Sequence, residues 1–554
     1  MSSSTHFAGQ TGAGQRDGRE VEWQLTCTDL GAVRRWLTDH GKIDGLILEP
    51  RSTQQILDRY LDTGDWRIHR AGFALRIRSE SGKSEATLKS LHSASEEVAD
   101  RREMSEELEN AESETIRQLS GPVGTLVHAV SGAQALLPLF EVRTSRQRFT
   151  IRKAEEARPL GEIALDDTVI SRPDGEPRTS MQRVEVEALT EVHEPLRSLV
   201  KTLQSNCALE AALDSKYAQG LKSVGLAPAP ASPIAPGEVD ASMTMVEVAA
   251  ANLRRYALAW QQHEPGARLG EDPEELHDLR VAGRRLDAVL RQFRASLPAP
   301  LLEIRLTLKT VLRALGAARD LDVALAELET FSRGLQRPER EGVEPLRRHL
   351  LSERRRARAR MLSVLDTVWV QKSLRELNSL LAAPAAALER LPRQSPPELA
   401  LNAVPKLIKK RYRKLRKDAA LVTADSSTEA VHEVRSQVKK LRYALEAVAV
   451  IYGKPADAML AALHRWQESL GVQQDAAVAG SRLKALAGAP PKDMPPEALF
   501  VMGRLAQHHA GAALRARKRY AKGYRKVREK WKRLRTELED SAVNSAPKQP
   551  GAGP

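Results

Sequence analysis

The 554 residues carry a formal net charge of +14, with 86 Lys and Arg against 72 Asp and Glu, and only 4% are aromatic. A chain of this length is expected to form two or more domains. Two cysteines are too few for a disulfide framework or a zinc finger, and no apolar run approaches the ~20 residues of a membrane span. We therefore expect a cytoplasmic protein without signal peptide or membrane segment.

The charge is unevenly distributed along the chain. Residues 1–230 contain 29 basic and 35 acidic residues, a net of −6, which leaves 57 basic and 37 acidic residues, a net of +20, for residues 231–554. An excess of this size predicts that the C-terminal part binds a polyanion.

Residues 1–18 are rich in Ser and Gly and are predicted to be disordered. From Arg19 onward, polar and apolar residues alternate, which predicts β-strands. In the first strand, Glu20, Glu22 and Gln24 occupy one face, and Trp23 lies on the other.

The charged residues of the predicted strands occur in pairs of one sign. The acid pairs are Glu20/Glu22 and Glu185/Glu187, and the base pairs are Arg76/Arg78 and Arg146/Arg148. Spacing alone leaves two interpretations open. An ordinary antiparallel sheet would expose these charges on a solvated face. A closed barrel with a polar lumen would gather them, carboxylates for a hard divalent cation and arginines for phosphate oxygens.

A set of motifs over residues 19–223 resembles the CYTH family, which has the triphosphate tunnel fold. In family order the motifs are Glu20-Val-Glu22-Trp-Gln24, Tyr60-Leu-Asp62-Thr63, Ala74-Leu75-Arg76-Ile-Arg78, Thr87-Leu-Lys89, Arg101-Arg102-Glu103, Glu162-Ile-Ala-Leu-Asp166, Glu185-Val-Glu187 and Ser215-Lys216. The first motif departs from the family pattern E-x-E-x-K, because Gln24 stands in place of the lysine. A glutamine can donate a hydrogen bond but carries no charge.

This resemblance implies a metal-dependent hydrolase of inorganic triphosphate that uses Mg²⁺ or Mn²⁺. The catalytic residues that it implies are Glu20, Glu22, Lys89, Arg76 and Arg78. The implied metal ligands are Glu20, Glu22, Asp166, Glu185 and Glu187. The implied triphosphate-binding residues are Arg76, Arg78, Lys89, Arg146, Arg148 and Lys216. Because of Gln24, a polyphosphate-binding protein with an inactive tunnel is the second hypothesis. The substrate stays open between tripolyphosphate, a nucleoside triphosphate and a longer chain.

Beyond this region, residues 224–240 contain four prolines and predict an extended linker. Helical patterning follows over residues 241–540. A Pro- and Ala-rich break between Pro384 and Pro397 predicts two halves, 241–385 and 398–540. Residues 541–554 are predicted to be a disordered tail.

The helical region contains an internal repeat with an offset of 155 residues (277 to 432). The equivalent pairs are His277/His432, Arg280/Arg435, Arg284/Lys439, Arg285/Lys440, Leu286/Leu441, Leu315-Gly316/Leu470-Gly471 and Asp320/Asp475. A register kept without a gap indicates duplication of a helical unit.

The doubled pattern H-x-x-R-x-x-x-R/K-R/K-L, followed by L-G-x-x-R/Q-D, is similar to the CHAD domain (conserved histidine α-helical domain). This resemblance implies two helical bundles related by a pseudo-two-fold axis, with a basic groove for inorganic polyphosphate and an association with polyphosphate granules. The implied ligands are His277, Arg280, Arg284, Arg285, Arg319, His432, Arg435, Lys439, Lys440 and Arg442. Because Gln474 replaces the equivalent of Arg319, the first half is expected to contribute more.

Both resemblances together predict an α+β multidomain protein, with an N-terminal antiparallel β tunnel barrel and a C-terminal all-α duplicated helical-bundle domain. The sequence gives no indication of the oligomeric state.

Further basic stretches at residues 354–360, 406–417 and 515–535 keep nucleic acid as a rival partner. Binders of single strands usually add aromatic stacking platforms, whereas Tyr520, Tyr524 and Trp531 lie on an apolar helix stripe. No motif that reads duplexes is present, so we expect polyphosphate and disfavour nucleic acid. His277 and His432 lack the neighbours of a triad or a zinc site. We interpret them as phosphate ligands or helix-orienting groups.

Overall fold

The computed structural model describes residues 15–92, 98–154, 156, 158–191, 193–228, 234–423 and 426–544. The chain divides into two compact units, Met1–Ala231 and Ser232–Pro554. The first unit is built around a β-barrel and the second is helical, which confirms the predicted fold class.

The strands of the first unit all belong to one antiparallel sheet. They are β1 (Gln15–Thr26), β2 (Lys42–Ile43), β3 (Leu46–Thr63), β4 (Phe73–Glu80), β5 (Lys83–Ser90), β6 (Ala99–Leu108), β7 (Leu136–Lys153), β8 (Gly161–Ser171), β9 (Pro177–Ala188) and β10 (Glu210–Ala211). The helices of this unit are α1 (Leu30–Asp39), α2 (Arg67–Arg70), α3 (Pro122–Ser131), α4 (Glu194–Cys207) and α5 (Lys216–Val224), with a 3₁₀ turn at Ser113–Gln118.

Eight of these strands close into a barrel in the order β1-β6-β5-β4-β3-β7-β8-β9, because β9 pairs back onto β1. The short strands β2 and β10 extend β3 and β1 outside the closed ring. Closure decides between the two interpretations of the paired charges: the sheet has an enclosed face, and that face carries both acid pairs, the pair Arg76/Arg78, and Arg146.

The outer face of the barrel is apolar because the strands alternate and two helices cover one side. Trp23 and Leu25 of β1 share a buried cluster with Val33 of α1 and Leu199 of α4. Burial of this face removes apolar area from water. The same period of two turns the charged residues of β1 towards the lumen.

The barrel begins earlier than the alternation predicted. β1 starts at Gln15, so the predicted disorder of residues 15–18 is wrong. Two ion pairs join this segment to β6: Arg102 donates to Asp17 at 2.9 Å, and Arg19 Nε donates to Asp100 at 2.8 Å. The rest of that prediction, residues 1–14, lies outside the described residues.

The helices of the second unit are α6 (Met245–Leu269), α7 (Pro273–Gln292), α8 (Ala299–Ser332), α9 (Val343–Leu365), α10 (Val368–Ala382), α11 (Ala385–Arg390), α12 (Ala400–Ala420), α13 (Thr428–Glu446), α14 (Ala449–Gly488), α15 (Pro496–Arg517) and α16 (Tyr520–Asn544), with a 3₁₀ turn at Pro338–Gly342. They share one hydrophobic core. Within the described part of the chain, no helix has both the length and the apolar character required to cross a bilayer.

The sequence repeat is also a structural repeat. Helix α7 begins at Pro273 and α13 at Thr428, the same offset of 155 residues (273 to 428). Each helix opens with a side-chain cap, Asp272 in the first copy and Ser427 in the second. Their buried residues include Leu286 and Leu441, which the repeat makes equivalent.

Three segments differ from the sequence predictions. Ile234 and Val239, from the predicted linker, are buried in the helical core, so the free linker is shorter than 224–240. Helix α16 continues to Asn544, and the part of the predicted tail that follows lies outside the described residues. The basic stretch 515–535 is divided between α15 and α16.

Candidate active site and anion groove

The barrel lumen gathers most of the residues that the CYTH resemblance implied. Those that line it are Glu20, Glu22, Arg76, Arg78, Lys89, Arg146, Glu185, Glu187 and Lys216. Gln24, Tyr60, Arg101, Glu162, Ser215 and Tyr217 line it as well. Asp166 and Arg148 are not among the lining residues.

A row of carboxylates crosses three adjacent strands at one side of the lumen. Glu22 of β1 lies directly opposite Glu187 of β9, which lies opposite Glu162 of β8. Like charges in direct cross-strand pairs destabilise a sheet. Burial, followed by the charges of Glu20, Glu22, Glu103 and Glu162, raises the pKa of Glu187 to about 7. The row therefore concentrates negative potential.

Lys89 lies between the two carboxylates of the first motif. Its ammonium is 2.9 Å from Glu22 Oε1 and forms an ion pair with Glu20. Burial alone would lower the pKa of Lys89, but Glu22 and Glu20 outweigh it and raise the pKa above its ordinary value. Glu103 of β6 is 4.0 Å from the same ammonium.

The two arginines of β4 are held by Asp58, which belongs to none of the sequence motifs. Arg78 donates twice to Asp58, at 2.8 Å each, and Arg76 is 3.6 Å from the same carboxylate. Asp58 is 2% exposed. Burial alone would raise its pKa, but Arg78 and Arg76 hold the pKa well below its ordinary value. The period of two along β3, which also turns Tyr60 inward, could have identified this residue.

Two of the implied metal ligands are instead paired with cations. Asp166 is fully buried and accepts from Arg146 at 2.7 and 2.6 Å, and it also pairs with Lys216. Glu185 accepts from Arg146 at 2.6 Å and from Lys216 at 2.8 Å. Burial alone would raise the pKa of Glu185, but Lys216 and Arg146 hold it well below its ordinary value. These four side chains form a buried network of matched charges.

Arg148 is bound by polar groups of neighbouring strands. Its guanidinium is 3.1 Å from Glu80 and 3.0 Å from Glu162, and it also donates to Gln54. The structure thus brings Arg148 to the acidic row through Glu162.

The carboxylate set fits a hard divalent cation by its chemistry, since oxygen ligands and concentrated negative charge suit Mg²⁺ or Mn²⁺. Glu187 supports this fit most directly: burial and then the neighbouring carboxylates raise its pKa, and a cation beside it would offset both effects. Within the described ranges, however, no three acidic, His or Cys side chains converge closely enough to hold a metal. Lys89 occupies the place between Glu20 and Glu22, so a cation would compete with this ammonium.

In the helical unit, cations of the two repeats lie close enough to act on one another. α7 packs against α13, and the charges of Arg280 and Arg284 on α7 act on Lys439 of α13. Burial, followed by the charges of Arg284 and Arg435, lowers the pKa of Lys439 to about 7. The nearby acidic groups are Asp475 and, on the first copy, Asp320.

The repeated glycines lie against the repeated arginines. A Cβ added at Gly316 would lie 3.6 Å from Arg280 Nε, and one at Gly471 would lie 3.2 Å from the Arg435 guanidinium. The two copies thus use the same packing, and the second glycine is the tighter. In the second copy, Asp475 is 3.5 Å from Arg435.

Other implied polyphosphate ligands are engaged elsewhere. Arg442 donates to Gln467 at 3.0 Å and pairs with Glu446, and the Arg285 guanidinium lies 5.5 Å from the Tyr256 ring centre. Arg319 donates to Glu274 at 3.0 Å. His432 contacts Gln474, and His277 lies half-buried on α7.

Lys440 belongs to a second group of cations. Burial lowers its pKa; Glu433 opposes this, and Lys414, Arg291 and Arg411 lower it further. These cations come from α12, α7 and α13, and Glu433 is 4.0 Å from Lys440. Arg411 Nε is buried without a hydrogen-bond partner among the described residues. Arg291 follows Arg284 by two helical turns, about 10.5 Å along α7.

Comparison with known proteins places both units in families. The CYTH domain family matches residues 38–219, and the CHAD domain family matches residues 251–484. The chain therefore contains a CYTH domain followed by a CHAD domain. The resemblance of the two regions to these families is thus confirmed. CYTH tunnel enzymes generally depend on a divalent metal.

Solved structures with similarity include the CHAD domain from the plant Ricinus communis, with 27% identity, 52% of this chain and 94% of that chain covered, and a TM-score of 0.44. PptA from Streptomyces chartreusis is 19% identical, with 51% of this chain and 100% of that chain covered and a TM-score of 0.41. A putative adenylyl cyclase from Hippeastrum is 19% identical, with 38% of this chain and 98% of that chain covered and a TM-score of 0.27. No curated protein matches the sequence.

Proposed function

We propose that the tunnel hydrolyses inorganic triphosphate with the help of a divalent cation and that the CHAD domain binds inorganic polyphosphate. One observation carries the first part. The row Glu22, Glu187 and Glu162 shares the lumen with a set of cations that includes Arg76, Arg78 and Arg101. A phosphate chain with its counter-cation needs both signs of charge within one enclosed space.

In this proposal, the tunnel cations bind and orient the phosphate oxygens. Arg76 and Arg78 are suited to this because Asp58 holds the Arg78 guanidinium by two hydrogen bonds and forms an ion pair with Arg76. Arg guanidinium groups bind phosphate oxygens through paired hydrogen bonds. Arg146 and Lys216 are fixed by Asp166 and Glu185 in the same manner, so all four cations are held before substrate arrives.

Glu20, Glu22 and Glu187 would hold the cation after it displaces the Lys89 ammonium and draws the three carboxylates together, with Glu103 beside them. A bound Mg²⁺ or Mn²⁺ would neutralise charge on the phosphates. In this proposal, a carboxylate of the lumen accepts the proton of the attacking water.

Phosphate release from tripolyphosphate tests this part of the proposal. We expect release with Mg²⁺ or Mn²⁺ and none in excess chelator. Release that persists unchanged in chelator would contradict the dependence on metal. No release under any condition would favour the second candidate, a binding protein without turnover, which the neutral Gln24 supports.

For the CHAD domain, the supporting observation is the meeting of Arg280, Arg284 and Lys439 across the two repeats. Like charges this close repel unless an anion neutralises them. A flexible phosphate chain requires only charge and geometry, whereas single-strand nucleic acid binders usually offer aromatic platforms.

A fragment of residues 232–554 tests this second part, and it keeps Ile234 and Val239 of the helical core. We expect it to retain the affinity of the full chain for polyphosphate. Equal or stronger competition by RNA of random sequence, at matched phosphate concentration, would favour nucleic acid instead.

A further inference from the structure

Gln24 departs from the E-x-E-x-K motif, and the structure shows what surrounds it. Its amide nitrogen donates to Glu22 Oε1 at 2.7 Å. Its amide oxygen faces Arg183, whose Nη1 lies 3.4 Å away. Gln24 is therefore bound on both sides, by a carboxylate that lines the lumen and by a guanidinium behind it.

Arg183 lies on β9, two residues before Glu185 and on the same face of the strand. It is 2% exposed, and it donates to the Asp214 carbonyl oxygen at 2.6 Å. Its Nε has no hydrogen-bond partner within the described part of the chain. Burial lowers the pKa of Arg183, and the charges of Glu185 and Glu22 oppose this most among the acidic groups. A buried guanidinium thus stands directly behind the position where the motif has a lysine.

We propose that Arg183 is a positioning residue of the tunnel. It binds the amide oxygen of Gln24 and so turns the amide nitrogen towards Glu22 and the lumen. Its guanidinium also supplies, next to Gln24, the positive charge that the lysine of the motif would carry. An arginine only donates hydrogen bonds, so it fixes which end of the amide faces it. The second amide N–H of Gln24 is then free to donate to a phosphate oxygen.

The two residues depend on each other. A lysine at position 24 has no acceptor for the Arg183 N–H and would add a cation beside it, in a region where charges are poorly screened. Buried donors without acceptors are costly. Restoration of the motif by Gln24→Lys alone should therefore fail, and it should succeed only when Arg183 is also replaced.

A double-mutant cycle tests this inference, which rests on the proposed hydrolysis for its kinetic part. The variants are Gln24→Lys, Arg183→Gln and the double variant, with Arg183→Lys as the conservative change. The matched control is Arg178→Gln on the same strand, because Arg178 pairs with Glu176 far from the lumen lining. The kcat and KM for tripolyphosphate with Mg²⁺ are measured for each, together with the Tm.

We expect each single variant to lower kcat/KM about tenfold, which corresponds to one hydrogen bond to a charged group. The kcat/KM of the double variant should equal or exceed that of the wild type. Arg183→Lys should have a higher kcat/KM than Arg183→Gln, and the control should have the kcat/KM of the wild type. A higher kcat/KM in Gln24→Lys alone would overturn the inference. So would a double variant whose loss of kcat/KM equals the product of the losses in the two single variants.

The Tm separates this inference from the proposed function. If the wild type releases no phosphate, the proposed hydrolysis fails, and the stability cycle still decides the coupling. Gln24→Lys should then lower the Tm in the presence of Arg183, and the added Arg183→Gln should restore it. Strictly additive changes in Tm would overturn the pairing of Gln24 with Arg183.

Discussion

Arg284 and Lys439 occupy equivalent positions of the two repeats, and the charge of the first acts on the ammonium of the second. Burial and the Arg284 guanidinium lower the pKa of Lys439 to about 7. Arg435, Arg280 and Asp475 are the other charges close to its ammonium. The duplication has therefore produced a site in which one half changes the ionisation of the other.

This relationship predicts that polyphosphate binding depends on pH. A polyanion favours the charged ammonium, so binding raises the pKa of Lys439 and takes up a proton. Affinity should be highest below pH 7 and should fall as the pH rises from 7 to 9, a range above the ordinary histidine pKa of about 6.5. Titration calorimetry in this range measures the effect. Lys439→Arg keeps its charge and should flatten the profile; an unchanged slope in that variant would contradict the assignment.

The same substitution at two glutamates of β9 should have opposite effects on stability. Glu187→Gln removes a repulsive charge from the acidic row and should raise the Tm without metal. Glu185→Gln removes the negative charge that Arg146 and Lys216 share and one of its two accepting oxygens, and it should lower the Tm. Shifts of about 2–4 °C correspond to 1 kcal/mol in a domain of this size.

Activity should separate the two variants further. Glu187→Gln should lower metal-dependent phosphate release at least about tenfold, although the protein is more stable, because a neutral amide holds hard cations poorly. Glu194→Gln, at the exposed start of α4, is the control. Full activity in Glu187→Gln would contradict its role as a ligand.

The arginines of the groove should differ in importance according to their partners. Arg319 is already paired with Glu274, whereas Arg284 acts on Lys439, a cation of the other repeat. Arg284→Gln should therefore weaken polyphosphate binding more than Arg319→Gln. Each lost phosphate contact should also reduce the dependence of affinity on salt, by analogy with other polyanion binders. Affinities of both variants across a salt series provide the measurement. Equal losses would show that the pair with Glu274 opens on binding.

The second group of cations should matter only for long chains. Arg411→Gln combined with Lys414→Gln should weaken binding of a polyphosphate with tens of phosphates and leave tripolyphosphate binding unchanged, because a short chain cannot span about 10.5 Å and both groups. The matched control replaces Arg355 and Arg360, which are exposed on α9. An equal loss of affinity for tripolyphosphate and for the long chain would contradict this prediction, because it would show that short chains also bind the second group of cations.

Local patterns in the sequence were sufficient for the type of each element and for the direction of its side chains, but not for the closure of the sheet into a barrel. The period of two placed Glu20, Glu22 and Gln24 on one face of β1, and the lumen contains all three. The 155-residue offset predicted two equivalent helices, and α7 and α13 begin at that offset. Such patterns are readable because the side-chain direction follows from the backbone period alone.

Contacts between distant segments were decided only by the tertiary structure. Alternation identified Glu185 and Glu187 as one acid pair, yet the structure gives them opposite environments: Glu185 meets two cations, and Glu187 meets other carboxylates. Lys439 and Lys440 are adjacent in the chain, but they join different groups of cations because a helix turns by 100° per residue. Arg183 becomes significant only through the register that places β9 beside β1. Side-chain direction is a property of each segment, whereas the partner of a charge depends on strand register and helix packing, which form only when the whole chain folds.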